Sequence, residues 1–89
     1  MTQRQQSPKI DFTTFVLSVS SAAFMGLGLT PRPGSDKIEK DLELARQNID
    51  LLELIKEKTK GNLSDDENRL IESVLFETRM RFVEAQKGR

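Results

Sequence analysis

Apolar residues in this chain recur at helical spacing, and no stretch alternates in the way a half-buried strand would. Between Asp36 and Lys60, Ile38, Leu42, Ala45, Ile49 and Leu52 keep a four-three-four-three rhythm that places them on one stripe of a helix. Leu44, Leu51 and Ile55 form a second stripe beside it. At about 100° per residue the two stripes cover roughly half the circumference, more than a single neighbour buries, so this helix needs two partners. Its remaining face is charged and internally matched, with Arg46 to Asp50 at i,i+4 and Glu43 to Arg46 at i,i+3. A further helix after Ser64 carries Leu70, Ile71, Val74, Leu75, Thr78 and Phe82 on its main face. Phe76, Met80 and Val83 lie on its other side at i, i+4 and i+7. Three apolar residues in register, Phe and Met among them, leave a patch that a monomer must cover or use for binding.

The first helical segment is of another character, because the twenty residues from Phe12 to Pro31 hold no charge. Phe12, Phe15, Val16, Val19, Ala22, Ala23 and Leu27 make its main face, Leu17 and Phe24 widen it, and the other side offers Thr14, Ser18, Ser21 and Met25. A helix without a charged face is normally buried all round or lies in lipid. One hairpin does not enclose it, so an external partner is implied. The stretch is long enough on paper to span a bilayer, but six Ser or Thr, two Gly and a terminal Pro make it only marginally apolar. Arg4 and Lys9 ahead of it suit a signal peptide, yet Asp11 interrupts the approach and no convincing small-x-small cleavage site precedes the charged helices. Burial in a protein oligomer is the primary expectation, and a helix from Phe12 to Leu27 in or on lipid is the alternative.

Punctuation divides the chain in the same places. Residues 1–10 are polar, contain Ser7-Pro8 and read as a flexible arm; residues 11–86 form a single helical domain and 87–89 a tail. Asp11 suits an N-cap, and Asp36 with Glu39 a capping box. Gly26-Leu27-Gly28 reads as helix termination, and the TPRPGS loop from Thr30 to Ser35 prevents continuation. Gly61, after Lys58 and Lys60, suits the left-handed C′ position. Ser64 to Glu67 then supplies an N-cap Ser, an N3 Glu and acidic residues for the first turn. The predicted fold is all-α with three helices. Helices two and three form an antiparallel hairpin across a short turn, and helix one packs in a core shared between chains.

Composition narrows the chemistry. Among 89 residues, 14 Lys or Arg balance 14 Asp or Glu, so the chain lacks the basic excess typical of nucleic-acid binders, and neutrality favours association. The absence of Cys and His removes disulfides, thiolate chemistry, zinc-thiolate sites and the commonest general base. Asp65, Asp66 and Glu67 point about 100° apart in succession and lack the EF-hand spacing, so helix capping accounts for them better than a metal does. Arg79, Arg81, Lys87 and Arg89 suit phosphate or an acidic partner, but Glu72, Glu77 and Glu84 dilute them and Glu77 suits a pair with Arg81. Ser18, Ser20 and Ser21 have no nearby base, and close helix packing is the commoner use of such residues. Asn48 among Leu44, Leu51, Leu52 and Ile55 either sets register or is a satisfied polar residue at the stripe's edge.

The segments FTTFVLSVSSAAFMGLG, DLELARQNIDLLELIKEKTKGNLSDDENRL and LFETRMRFVE together resemble the small bacterial family known as domain of unknown function 1844. The resemblance spans about Phe12 to Glu84 and is most specific at the KTKGNLS turn. It implies a short, mostly helical bacterial protein and carries across no catalytic residue. The expectation from the residues is a non-enzymatic cytoplasmic interaction module that self-associates and scaffolds a protein partner. It has no catalytic, cofactor or metal site and does not bind nucleic acid. Phe15, Val19, Phe24, Phe76, Met80 and Val83 are the expected interface. A membrane-associated adaptor is the competing expectation.

Overall fold

A computed structural model describes residues 11–31, 34 and 39–87. The chain folds as α1 (Phe12–Gly26), α2 (Leu42–Lys58) and α3 (Asp65–Lys87), with no strand among the described residues. Each helix start is fixed by a side-chain oxygen that accepts an otherwise orphaned backbone N–H. Asp11 accepts from the Thr14 amide at 2.8 Å. That bond holds the Asp11 carboxyl below its ordinary value. Ser64 and Glu67 form the expected reciprocal box: the Glu67 amide donates to Ser64 Oγ at 3.2 Å and the Ser64 amide to Glu67 Oε1 at 2.9 Å.

The start of α2 differs from expectation. The helix begins at Leu42, capped by Asp41, which accepts from the Leu44 amide at 3.1 Å, while Glu39 precedes the helix. Asp36 and Ile38, assigned above to this helix, lie outside the described residues, as do the arm 1–10, part of the TPRPGS loop and Arg89. The physical reason for the later start is a tertiary bond: the Asp41 amide donates to the Gly26 carbonyl at 2.7 Å and ties the entry of α2 to the end of α1.

Helix ends follow the same economy. The amides of Gly28 and Leu29 donate to the Met25 and Phe24 carbonyls, and Gly28 takes φ +79°, so α1 closes in a Schellman arrangement. Gly61 is left-handed at φ +86°, but it lies one residue beyond C′, inside a turn closed by the Asn62 amide on the Thr59 carbonyl. α2 stops earlier because Thr59 is its C-cap and turns its hydroxyl back onto the Ile55 carbonyl at 2.7 Å.

Val16 and Ala23 from α1, Ile49 and Leu52 from α2, and Ile71 and Leu75 from α3 form one core cluster. Burying a full Leu or Ile side chain contributes about 1.5–3 kcal/mol. Phe12, Val19, Ile55, Leu63, Leu70, Val74 and Phe82 pack around that centre. α2 therefore has its two partners, and its packing against α1 is the more extensive. Ion pairs show the α2–α3 direction. Going back along α2 from Lys56 to Glu53 goes forward along α3 from Glu72 to Arg79, as an antiparallel hairpin requires.

Small residues bring α1 onto α2. Ser20, Ala23 and Gly26 are all buried, and a Cβ built on Gly26 would sit 2.6 Å from the Ala45 nitrogen and 2.8 Å from the Asp41 carbonyl oxygen. Gly26 thus permits backbone to lie against backbone, a packing role in addition to helix termination. The buried face of α1 runs through Val16, Ser20, Ala23 and Leu27, so Phe15, assigned above to the main face, falls outside it and is exposed. Ser18 and Ser21 are exposed on the single chain as well. Ser18 donates to the Thr14 carbonyl at 2.9 Å, satisfying its hydroxyl within the helix.

Candidate interaction surface

Lengths of the paired helices decide what α3 leaves uncovered. With 23 residues it runs about 34 Å, against about 25 Å for the 17 residues of α2. Its core-facing line passes through Ile71, Leu75 and Thr78. Thr78 is fully buried, and its hydroxyl donates to the Val74 carbonyl at 2.8 Å. Phe76, Met80 and Val83 lie about 120–180° around the helix from Ile71. They point away from the core and are 65%, 41% and 48% exposed. They line a shallow apolar depression edged by Glu72, Arg79, Glu84 and Lys87.

The charged side chains beside this patch are largely matched within the chain. Arg79 donates through Nε and Nη2 to Glu53 Oε2 at 2.9 and 2.7 Å, a cross-helix contact not apparent from sequence spacing. Lys56 lies 3.7 Å from Glu72. On the other flank Arg81 donates to Glu77 at 2.9 Å, the expected i,i+4 pair, and approaches Glu84 at 3.9 Å. The Glu77 bond holds the Arg81 guanidinium above its ordinary pKa.

The other expected interface residues separate into two groups. Phe15 is 46% exposed on α1, whereas Val19 and Phe24 are half-buried and Val19 packs against the chain's own core. Leu51, placed above on a buried stripe of α2, is exposed, and so is Leu54, which that reading omitted. Their i,i+3 spacing was the available signal; Leu44 and Ile55, on the same side of α2 as Leu51, are half-buried. Asn48 is buried and donates to the Leu44 carbonyl at 2.9 Å, which satisfies its amide within α2.

Acidic residues do not converge. Glu67 is engaged in the capping box and Asp66 pairs with Arg69 along the helix. Among the described residues no group of three or more His, Cys, Asp or Glu is placed to hold a metal ion. No described helix is long and apolar enough to cross a membrane. At 15 residues α1 measures about 22 Å, against about 30 Å of hydrocarbon.

Fold and surface together define a small three-helix protein whose most distinctive outward feature is an apolar stripe on its longest helix. The chain belongs to the family described as Domain of unknown function (DUF1844), which matches residues 9–84. Neither a curated protein nor a solved structure matches it.

Proposed function

We propose that this protein is a non-enzymatic, cytoplasmic interaction module that self-associates and offers its helical surface to a protein partner. The observation that supports the reading is the outward set of Phe76, Met80 and Val83, which the chain's own core does not require. An exposed apolar group of this kind, bordered by charge, is characteristic of a contact surface. Zero net charge adds no long-range repulsion between copies.

The test is absolute mass by light scattering on a sizing column, over a range of concentrations and without detergent. A dimer or larger species that loses mass on Phe76→Glu with Met80→Glu, at unchanged helicity, is the expected outcome. A monomer at all concentrations, or an assembly indifferent to both substitutions, rejects the reading. The membrane-adaptor alternative draws on the uncharged α1, whose outer side exposes Phe15 and Leu17 beside Thr14, Ser18 and Ser21 but lacks the Lys and Arg of typical interfacial helices. Recovery in washed membranes would favour that alternative.

A further inference from the structure

The apolar triple on α3 belongs to a longer pattern. Arg69, Ser73, Phe76, Met80, Val83 and Lys87 follow a four-three-four-three-four spacing, which is the seam of a heptad repeat. All are exposed and none belongs to the core cluster. A seam of this form accepts another helix; both of its outer positions, Arg69 and Lys87, are basic, and Glu72 borders it near the start.

We infer that the occupant is α3 of a second copy, lying antiparallel about a two-fold axis that passes near Met80; this rests on the self-association reading above. Three considerations select the arrangement. First, with the axis at Met80, Phe76 of each copy meets Val83 of the other and the two Met80 side chains meet each other. All three apolar residues are then covered at once. Sliding the helices apart by one turn instead sets some of them against Ser73, Arg69 or Lys87. Second, the antiparallel arrangement brings Lys87 beside Glu72 of the other copy, where it joins Lys56, which lies 3.7 Å from that carboxylate in its own chain. A parallel one in the same apolar register stacks Arg69 on Arg69 and Lys87 on Lys87, and opposed helix dipoles also favour the antiparallel pair. Third, Arg79 lies close to the axis but is already bound to Glu53 of its own chain, which draws its charge toward α2. The contact is isologous and therefore closes at two copies.

Its size sets its strength. The exposed parts of Phe76, Met80 and Val83 amount to roughly 300 Å² per copy, or roughly 600 Å² for the pair. That is below the roughly 1,200 Å² at which standard stable interfaces begin, so the dimer forms reversibly with concentration.

The chain has no cysteine, so introduced thiols report the pairing directly. Ser73→Cys and Lys87→Cys leave the apolar triple intact. Mixed under mild oxidation at a concentration where light scattering gives a dimer, they should yield a Ser73–Lys87 cross-linked heterodimer in excess over either homodimer. Glu72→Lys should raise the dimer dissociation constant about fivefold through two lost pairs, and Lys87→Glu in the same chain should restore it. A monomer at every concentration overturns this pairing together with self-association. A dimer that cross-links as homodimers at each position shows parallel helices, and a dimer with no cross-link at either position shows a different contact face. Either of these outcomes overturns the antiparallel pairing and leaves self-association standing.

Discussion

Replacing Gly26 by Ala tests whether the approach of α1 to α2 is as close as the structure has it. The new methyl would sit 2.6 Å from the Ala45 nitrogen, 2.8 Å from the Asp41 oxygen and 3.0 Å from the Ala45 Cα. All three opposing atoms are backbone, so no side-chain rotation relieves the crowding. Restoring an ordinary contact of 3.4 Å requires the helices to part locally by about 0.8 Å. A gap of 0.5–1 Å forfeits about a quarter to a half of the dispersion attraction between the atoms it separates. Overpacking of this kind costs about 1–3 kcal/mol. Stretching the 2.7 Å bond from the Asp41 amide to the Gly26 carbonyl adds a further cost, up to about 1 kcal/mol. The better helix propensity of Ala returns about 1 kcal/mol at most. The net loss is about 2 kcal/mol, against about 4–13 kcal/mol in total for a domain of this length. The melting temperature should fall by roughly 8–16 °C. Urea and thermal unfolding followed by circular dichroism, at one protein concentration, measure it. Ala45→Gly should not rescue the variant, because the clash is with backbone. Gly61→Ala provides the contrast: open space surrounds that position, so its cost, about 1 kcal/mol, comes from left-handed backbone alone. A Gly26→Ala protein as stable as the parent would refute the close approach.

Two further tests address the helix starts. Ser64→Ala removes the acceptor of the Glu67 amide and should lower stability by about 1 kcal/mol, read as a shift in urea midpoint without a change in slope; an unchanged midpoint would count against the box. The Asp11 carboxyl is held below its ordinary value of 3.8 by its bond from the Thr14 amide. Its contribution is therefore present above that value and lost as the pH falls through the lower folded-state value, because the unfolded chain binds more protons in that window. Hydrogen-exchange protection at the Thr14 amide should drop selectively on acidification and lose this pH dependence in Asp11→Asn. Equal protection of the parent on both sides of the window would reject the assignment.

Much of the local architecture was legible from residue spacing because it is encoded within a few positions. The Ser64 to Glu67 box, the Asp11 cap and the Glu77–Arg81 pair all form between residues three or four apart, where helical geometry alone brings the groups together. The core face of α3 and the outward position of Phe76, Met80 and Val83 follow from the same periodicity. Face assignment was less secure in α1. Without charges to mark a solvent side, hydrophobicity favoured Phe15, whereas shape selected Ser20, Ala23 and Gly26.

The sequence by itself thus determined three helices, the N-caps of α1 and α3, the stripe of α2 from Ala45 to Leu52 and the apolar triple left over on α3. Only the tertiary structure decided that α2 begins at Leu42, since the bond from the Asp41 amide to the Gly26 carbonyl joins two helices. It also decided that Arg79 meets Glu53, a contact between residues 26 positions apart. The difference is one of range. Caps and stripes are set by neighbours within a turn or two, but the choice of buried face depends on how closely two backbones approach. In α1 that approach is set by the missing side chain of Gly26.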